Sequence, residues 1–143
     1  NICLEFLGLL NQAIEVVRDL ALSEKERAIK CFDIFAEFEM IKYMKDHIGE
    51  KFNAHVTYVN SRVMFVKTEE GITGRLYPED IEGDKFNYND NYLTFSGKKT
   101  KKRIKIGTRL VLTALEADRD FGSISFGVQQ DDLALIKSRK RGA

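Results

Sequence analysis

The hydrophobic pattern changes its period at Gly49, and that switch constrains the fold more than any other feature of the chain. Before it, apolar residues recur at spacings of three and four, the repeat of a helix with one buried face. Leu4, Leu7, Leu10, Ile14, Val17 and Ala21 line up in this way and predict a helix over residues 2–22. Ser23-Glu24-Lys25-Glu26 then matches a capping box, in which hydroxyl and carboxylate each take the other residue's amide. A second helix is expected from there to about His47, stopped by Gly49. It carries two apolar stripes: Ile29, Phe32, Ala36, Met40 and Met44, and Cys31, Ile34, Phe35, Phe38 and Ile41. A helix packed on one partner needs a single stripe, so the surplus points to burial between two bodies or to a dimer interface.

Beyond Gly49 the period becomes two, the repeat of a half-buried strand. Phe52, Ala54, Val56 and Tyr58 alternate, and Val63 and Phe65 alternate against Met64 and Val66. Asn60-Ser61 reads as the turn between these strands, and Glu70-Gly71 as the turn into a third near Ile72–Tyr77. Arg109–Ala117 alternates again, and Ser123–Val128 makes a fifth strand after an Asp118–Gly122 turn. Short strands of this number manage their edges best by closing on themselves. The expected fold class is therefore α+β: two N-terminal helices, then a five-stranded antiparallel OB-fold β-barrel. The expected divisions are a helical segment at 1–48, the barrel at 49–130 and a basic tail at 131–143. A polar and aromatic insertion, Pro78 to Ile106, separates the third strand from the fourth.

Charge is distributed unevenly along this frame. The formal net charge is +1, yet residues 1–97 carry 11 Lys/Arg against 17 Asp/Glu, and residues 98–143 carry 12 against 5. A basic end of this kind fits a polyanionic partner. The most apolar stretch, Ile2 to Leu22, is broken by Glu5, Glu15, Arg18 and Asp19, so no membrane partner is expected. Cys3 and Cys31 stand alone, without the close pairing a zinc site needs, and read as reduced thiols of a cytoplasmic protein. The chain begins at Asn, directly in a helical pattern, which reads as a cut through a longer protein.

No catalytic constellation emerges. Gly97-Lys98-Lys99-Thr100 lacks the first glycine of a phosphate loop, since that position is Tyr92. His47 and His55 read as surface or helix-end residues, and Cys31 has no histidine partner. Glu69-Glu70 and Asp131-Asp132 read as solvated charges rather than an acid/base pair or a metal cage. The positive signal is aromatic residues interleaved with basic ones on the presumed barrel. Tyr58, Phe65 and Tyr77 stand beside Arg62, Lys67 and Arg75. The insertion adds Tyr88 and the run Lys98, Lys99, Lys101, Lys102 and Arg103. Cations attract a phosphate backbone, and aromatic faces stack on unpaired bases. The same aromatics could serve as core, and the lysine run as a solvated face.

Lys42-Tyr43-Met44-Lys45-Asp46-His47-Ile48-Gly49-Glu50-Lys51-Phe52 resembles the junction in ribonuclease R-type exoribonucleases where the last helix of the RNB catalytic domain enters an S1-type RNA-binding OB-fold. Ser23 to Ala28 resembles the start of that helix. Val59 to Val66, Gly74, Tyr88, Gly107 and Asp118 with Ile124-Ser125-Phe126 fit the module's spacing. The resemblance covers roughly residues 23–130. The family's second strand offers two aromatics three apart; Phe65 keeps one, and Arg62 stands at the other. Its frequent histidine at the end of the third strand is Tyr77 here, and Asp118 matches its acidic position before the fifth strand.

The resemblance implies a magnesium-dependent 3′-to-5′ exoribonuclease as parent, with the metal-binding carboxylates upstream of these residues. It implies no cofactor in this part of the protein, and as partners single-stranded RNA and the catalytic domain of the same protein. Two other readings stand beside it. One is a free-standing RNA-binding protein associated with translation. The other is an OB-fold protein-interaction module.

Overall fold

A computed structural model describes residues 2–118 and 123–136. Two helices lead, α1 (Ile2–Arg18) and α2 (Glu24–Lys45). The capping box forms as read: the Glu26 amide donates to Ser23 Oγ at 3.2 Å, and the Ser23 amide donates to Glu26 Oε1 at 3.3 Å. α1 stops at Arg18, four residues before the expected end, because the chain must reverse to bring Ser23 to the head of α2. Arg27 holds that reversal by donating from Nη2 to the Leu20 carbonyl at 3.0 Å. The helices pack through Ala13, Val17 and Phe35, with Phe6 edge-on to Phe35 at 4.8 Å.

The described residues form eight strands: β1 (Lys51–Val59), β2 (Met64–Thr68), β3 (Thr73–Ile81), β4 (Phe86–Asn89), β5 (Thr94–Gly97), β6 (Arg103–Ile104), β7 (Arg109–Asp118) and β8 (Ser123–Val128). Five of them close a barrel in the order β1-β2-β3-β8-β7, the OB arrangement expected from the alternation. One pair departs from the all-antiparallel expectation. β3 runs parallel to β8, with Arg75 opposite Ser125 and Leu76 opposite Phe126. A parallel pair needs a long crossover, and the run of chain through β4, β5, β6 and β7 supplies it. Gly74 makes the approach possible: a Cβ there would meet the Phe126 ring and lie 2.8 Å from the Ile124 carbonyl oxygen.

The barrel core holds Val56, Met64, Val66, Leu76, Leu112 and Phe126, and α2 adds Ile41 and Met44 from below. Reciprocal backbone bonds, Gly49 N to Ala114 O at 2.8 Å and Ala114 N to Glu50 O at 3.0 Å, fasten the end of the helix to β7. The insertion folds into its own antiparallel sheet, β4-β5-β6, whose Phe86, Phe95 and Ile104 extend the same core.

A short helix, α3 (Gln130–Leu133), follows β8. Here the structure departs from the tail expected over 131–143: Leu133 and Ile136 are core residues, so the chain stays packed to position 136. Asp132, expected as a solvated charge, is buried and pairs with Lys51 Nζ at 3.0 Å, because the two apolar anchors draw it in with them. The expected turn residues 119–122 and the basic segment Lys137–Arg141 lie outside the described residues. Among the described residues, no helix is long and apolar enough to cross a membrane.

Candidate nucleic-acid interface

A β-bulge sets up the outer face of the barrel. Strict alternation from Phe52, Ala54 and Val56 would turn Tyr58 inward. The register between β1 and β2 shifts between Val56 and Tyr58, so Thr57 and Tyr58 both face out. Tyr58 then lies directly opposite Phe65, and Phe65 opposite Arg75, forming a row across β1, β2 and β3. The Tyr58 and Phe65 rings are 5.8 Å apart and tilted by 43°. The Arg75 guanidinium carbon lies 5.8 Å from the Phe65 ring centroid, within cation–π range.

Phe65 is half-buried and Tyr58 half-exposed, so neither ring is a core side chain. Lys67 follows Phe65 on the same outward side of β2, and Tyr77 follows Arg75 on β3, half-buried. Arg62 is exposed in the β1–β2 turn, which Asn60 Oδ1 shapes by accepting from the Arg62 and Val63 amides at 2.9 and 3.0 Å. Asp118 ends β7 opposite Ser123 and is not part of this row. The arrangement offers two tilted aromatic rings beside a positive charge, features of the kind that hold an unpaired base and its phosphate.

The remaining sequence candidates gather on the second sheet. Tyr88, Lys98, Lys101 and Arg103 line an open groove of about 480 Å³, together with Asn87 and Asn89. Tyr88 packs on Phe95 at 5.2 Å, which leaves one side of its ring toward the groove. Lys98 and Lys99 are exposed on the turn after β5. Lys102 does not join them: its Nζ donates to the Ile136 carbonyl at 2.6 Å and helps hold α3 to the sheet.

Sequence reasoning passed over the residue that builds this turn. Asp84 accepts from the Lys85, Lys99 and Thr100 amides at 2.7, 2.9 and 2.8 Å, and from the Thr100 hydroxyl. Partial burial pulls its carboxyl upward, but the Thr100 hydroxyl and the three amides outweigh that and hold it well below the usual carboxylate range. Gly97 leaves room for this, since a Cβ there would collide with the Asp84 carboxylate. Arg109, a further outward basic residue, also escaped notice, although strand alternation alone would have turned it outward; His55, expected at the surface, is exposed opposite it.

Comparison with known proteins shows similarity in sequence and in fold. No protein-family model matches the chain. Ribonuclease R 1 of Lactococcus lactis subsp. lactis is 28% identical over 132 residues, a match that covers 90% of this chain and 16% of that protein. Ribonuclease R of Ureaplasma parvum is 29% identical over 121 residues, covering 80% of this chain and 17% of the relative. The chain is similar in sequence to ribonuclease R over most of its length. It spans about one sixth of the length of the ribonuclease R proteins it matches. Among solved structures, ribonuclease R of Mycoplasma genitalium has the same fold. Its apo form superposes with a TM-score of 0.59, and its complex with ribose-methylated single-stranded RNA with 0.61. Both are 21% identical and cover 72% of this chain and 17% of the longer one.

Proposed function

We propose that this chain is the RNA-capturing C-terminal part of a ribonuclease R-type 3′-to-5′ exoribonuclease, binding single strands without strong sequence preference. The observation that carries the reading is the Tyr58–Phe65–Arg75 row, two rings and a guanidinium in register across three strands. Stacking tolerates any base, and the charge serves any phosphate, so the row suits a processive enzyme that must accept every sequence. Arg62, Lys67 and Tyr77 would extend this surface. Tyr88, Lys98, Lys99, Lys101 and Arg103 would form a second contact on the insertion sheet, with Asp118 at the end of β7.

Cleavage belongs elsewhere in this reading. Among the described residues, no three metal-ligating side chains are grouped to hold an ion. In this reading the magnesium implied for the parent enzyme is held by residues outside this chain. Leu4, Phe6, Leu7, Ile14, Ile29 and Phe32 leave an apolar surface exposed on α1 and α2. The catalytic domain of the same protein is its proposed partner, with residues 1–48 belonging to that domain and the barrel from 49 onward forming the RNA-binding module. A cytoplasmic location remains part of the proposal.

The test is titration of the 143-residue chain with labelled single-stranded and duplex RNA at several salt concentrations, beside a Phe65→Ala variant. The reading expects single-strand preference, a steep salt slope and weaker binding by the variant. It also expects RNA 3′ ends to stay intact when the chain is incubated with magnesium. Binding that is equal for duplex and single strand and indifferent to Phe65 would overturn it.

A further inference from the structure

A second row crosses the outer face of the barrel, two residues along from the aromatic one. Arg109 on β7 lies opposite His55 on β1, His55 opposite Lys67 on β2, and Lys67 opposite Thr73 on β3. All four are exposed, while Leu110, Ala54, Val56 and Val66 between them are buried, so the four side chains share one surface. Directly opposed residues hold their Cβ atoms about 4.5–5.5 Å apart, so the guanidinium, the imidazole and the ammonium line up as hydrogen-bond donors along one row. Among the described residues, no ion pair engages His55, Lys67 or Arg109. An anion laid across the row would meet a donor from each of the three and the charges of Arg109 and Lys67.

The surroundings suit a nucleotide chain. An open groove of about 330 Å³ runs beside the row between β1 and β7, lined by Asn53, His55, Arg109 and Glu69. Glu69 repels phosphate and so confines a backbone to the line of Arg109 and Lys67, while the Asn53 amide can both donate to and accept from ribose or base. From Phe65 to Lys67, and from Arg75 to Thr73, the two rows are roughly 6.6 Å apart along the strands. A single strand leaving the stacking step meets the basic row next.

We propose that Arg109 and His55, with Lys67, form a phosphate-binding row that continues the RNA path beyond the nucleotides stacked on Tyr58 and Phe65. This deepens the reading of the barrel face as an RNA surface and rests on it. It assigns to the start of β7 and the middle of β1 a role that the aromatic row does not require.

The experiment is binding of the full chain to oligoribonucleotides of about 4 and about 12 nucleotides, the range one barrel of this kind covers. Arg109→Gln, Arg109→Lys, His55→Gln and Phe65→Ala run in parallel. Arg109→Gln is expected to bind the longer strand about fivefold more weakly at 0.1 M salt. Its logarithmic salt slope should fall by about 0.7, the value for one lost contact to a single strand. The shorter strand should be held nearly as before. Arg109→Lys should keep the slope, His55→Gln should lose on the longer strand only, and Phe65→Ala should weaken both lengths. If Arg109→Gln and His55→Gln bind both lengths like the unaltered chain while Phe65→Ala does not, the basic row is overturned and the RNA reading stands. If Phe65→Ala also changes nothing, the RNA reading falls and the row with it.

Discussion

The Asp84 carboxylate accepts the Thr100 hydroxyl at 2.6 Å, joining the β3–β4 connection to a turn sixteen residues further on. The Lys99 and Thr100 amides converge on the same carboxylate. This one acidic side chain therefore organises the turn that carries Lys98, Lys99 and Lys101 outward, and Lys101 takes a left-handed φ of 61° within it. An acid placed at the root of a basic surface tethers the backbone, and among the described residues it forms no ion pair with these exposed lysines.

Asp84→Asn should keep the barrel and loosen the turn. The amide retains one acceptor oxygen where the carboxylate used two, and it lacks the charge that strengthens each bond. Hydrogen exchange at the Lys99 and Thr100 amides should accelerate while that of the barrel strands stays unchanged. Unaltered protection at Thr100 would remove Asp84 from this role.

The same carboxylate predicts a pH dependence. Its folded pKa is depressed, so its stabilisation is complete above the ordinary aspartate value of about 3.9 and is lost as pH falls below that toward the folded value. The difference in stability between the unaltered chain and Asp84→Asn should be constant from pH 7 to about pH 5 and shrink below about pH 4. Denaturant melts of both proteins across that range measure it. A difference that grows with acidity would contradict the assignment.

Within the lysine run, orientation separates two effects. Lys98→Gln, Lys101→Gln and Arg103→Gln should each lower the salt slope of RNA binding by about 0.7 with stability nearly unchanged. Lys102→Gln should do the reverse, since its Nζ holds the Ile136 carbonyl. Its loss should lower stability by about 0.5–1.5 kcal/mol, or somewhat more for a charged donor, and leave the salt slope alone. Thermal melts and salt titrations of the four variants distinguish the cases.

On the aromatic row, Phe65→Ala should cost about 1–3 kcal/mol of RNA binding if a base stacks there. Phe126→Ala tests the contrast. That ring is fully buried, and its removal should cost about 3–5 kcal/mol of stability. If Phe65→Ala instead melts the domain as Phe126→Ala does, Phe65 acts as core.

Gly74→Ala probes the parallel pair. The added Cβ would press on the Phe126 ring and the Ile124 carbonyl, so β3 and β8 must separate. A loss of about 1–3 kcal/mol is expected, read from chemical denaturation. No change would mean that the two strands give way freely.

What the sequence by itself determined lies within a few residues of each signal. The capping box needs only Ser23 and Glu26, and it formed with both of its bonds. The change of period at Gly49 separated helices from strands; alternation identified three of the barrel strands, because side-chain direction follows directly from backbone repeat, and turn residues placed the other two. Tertiary structure alone decided the rest. The bulge in β1 turned Tyr58 out of the core face its spacing implied, since register against β2 and closure against β7 are settled between strands rather than along one. Asp84 found its partners sixteen residues away, Lys102 turned inward to Ile136, and Asp132 was buried against Lys51, 81 residues distant. Such groups are polar in any local reading. Whether they face water or a partner is settled only when barrel closure brings remote segments together and leaves each charge to be solvated or paired.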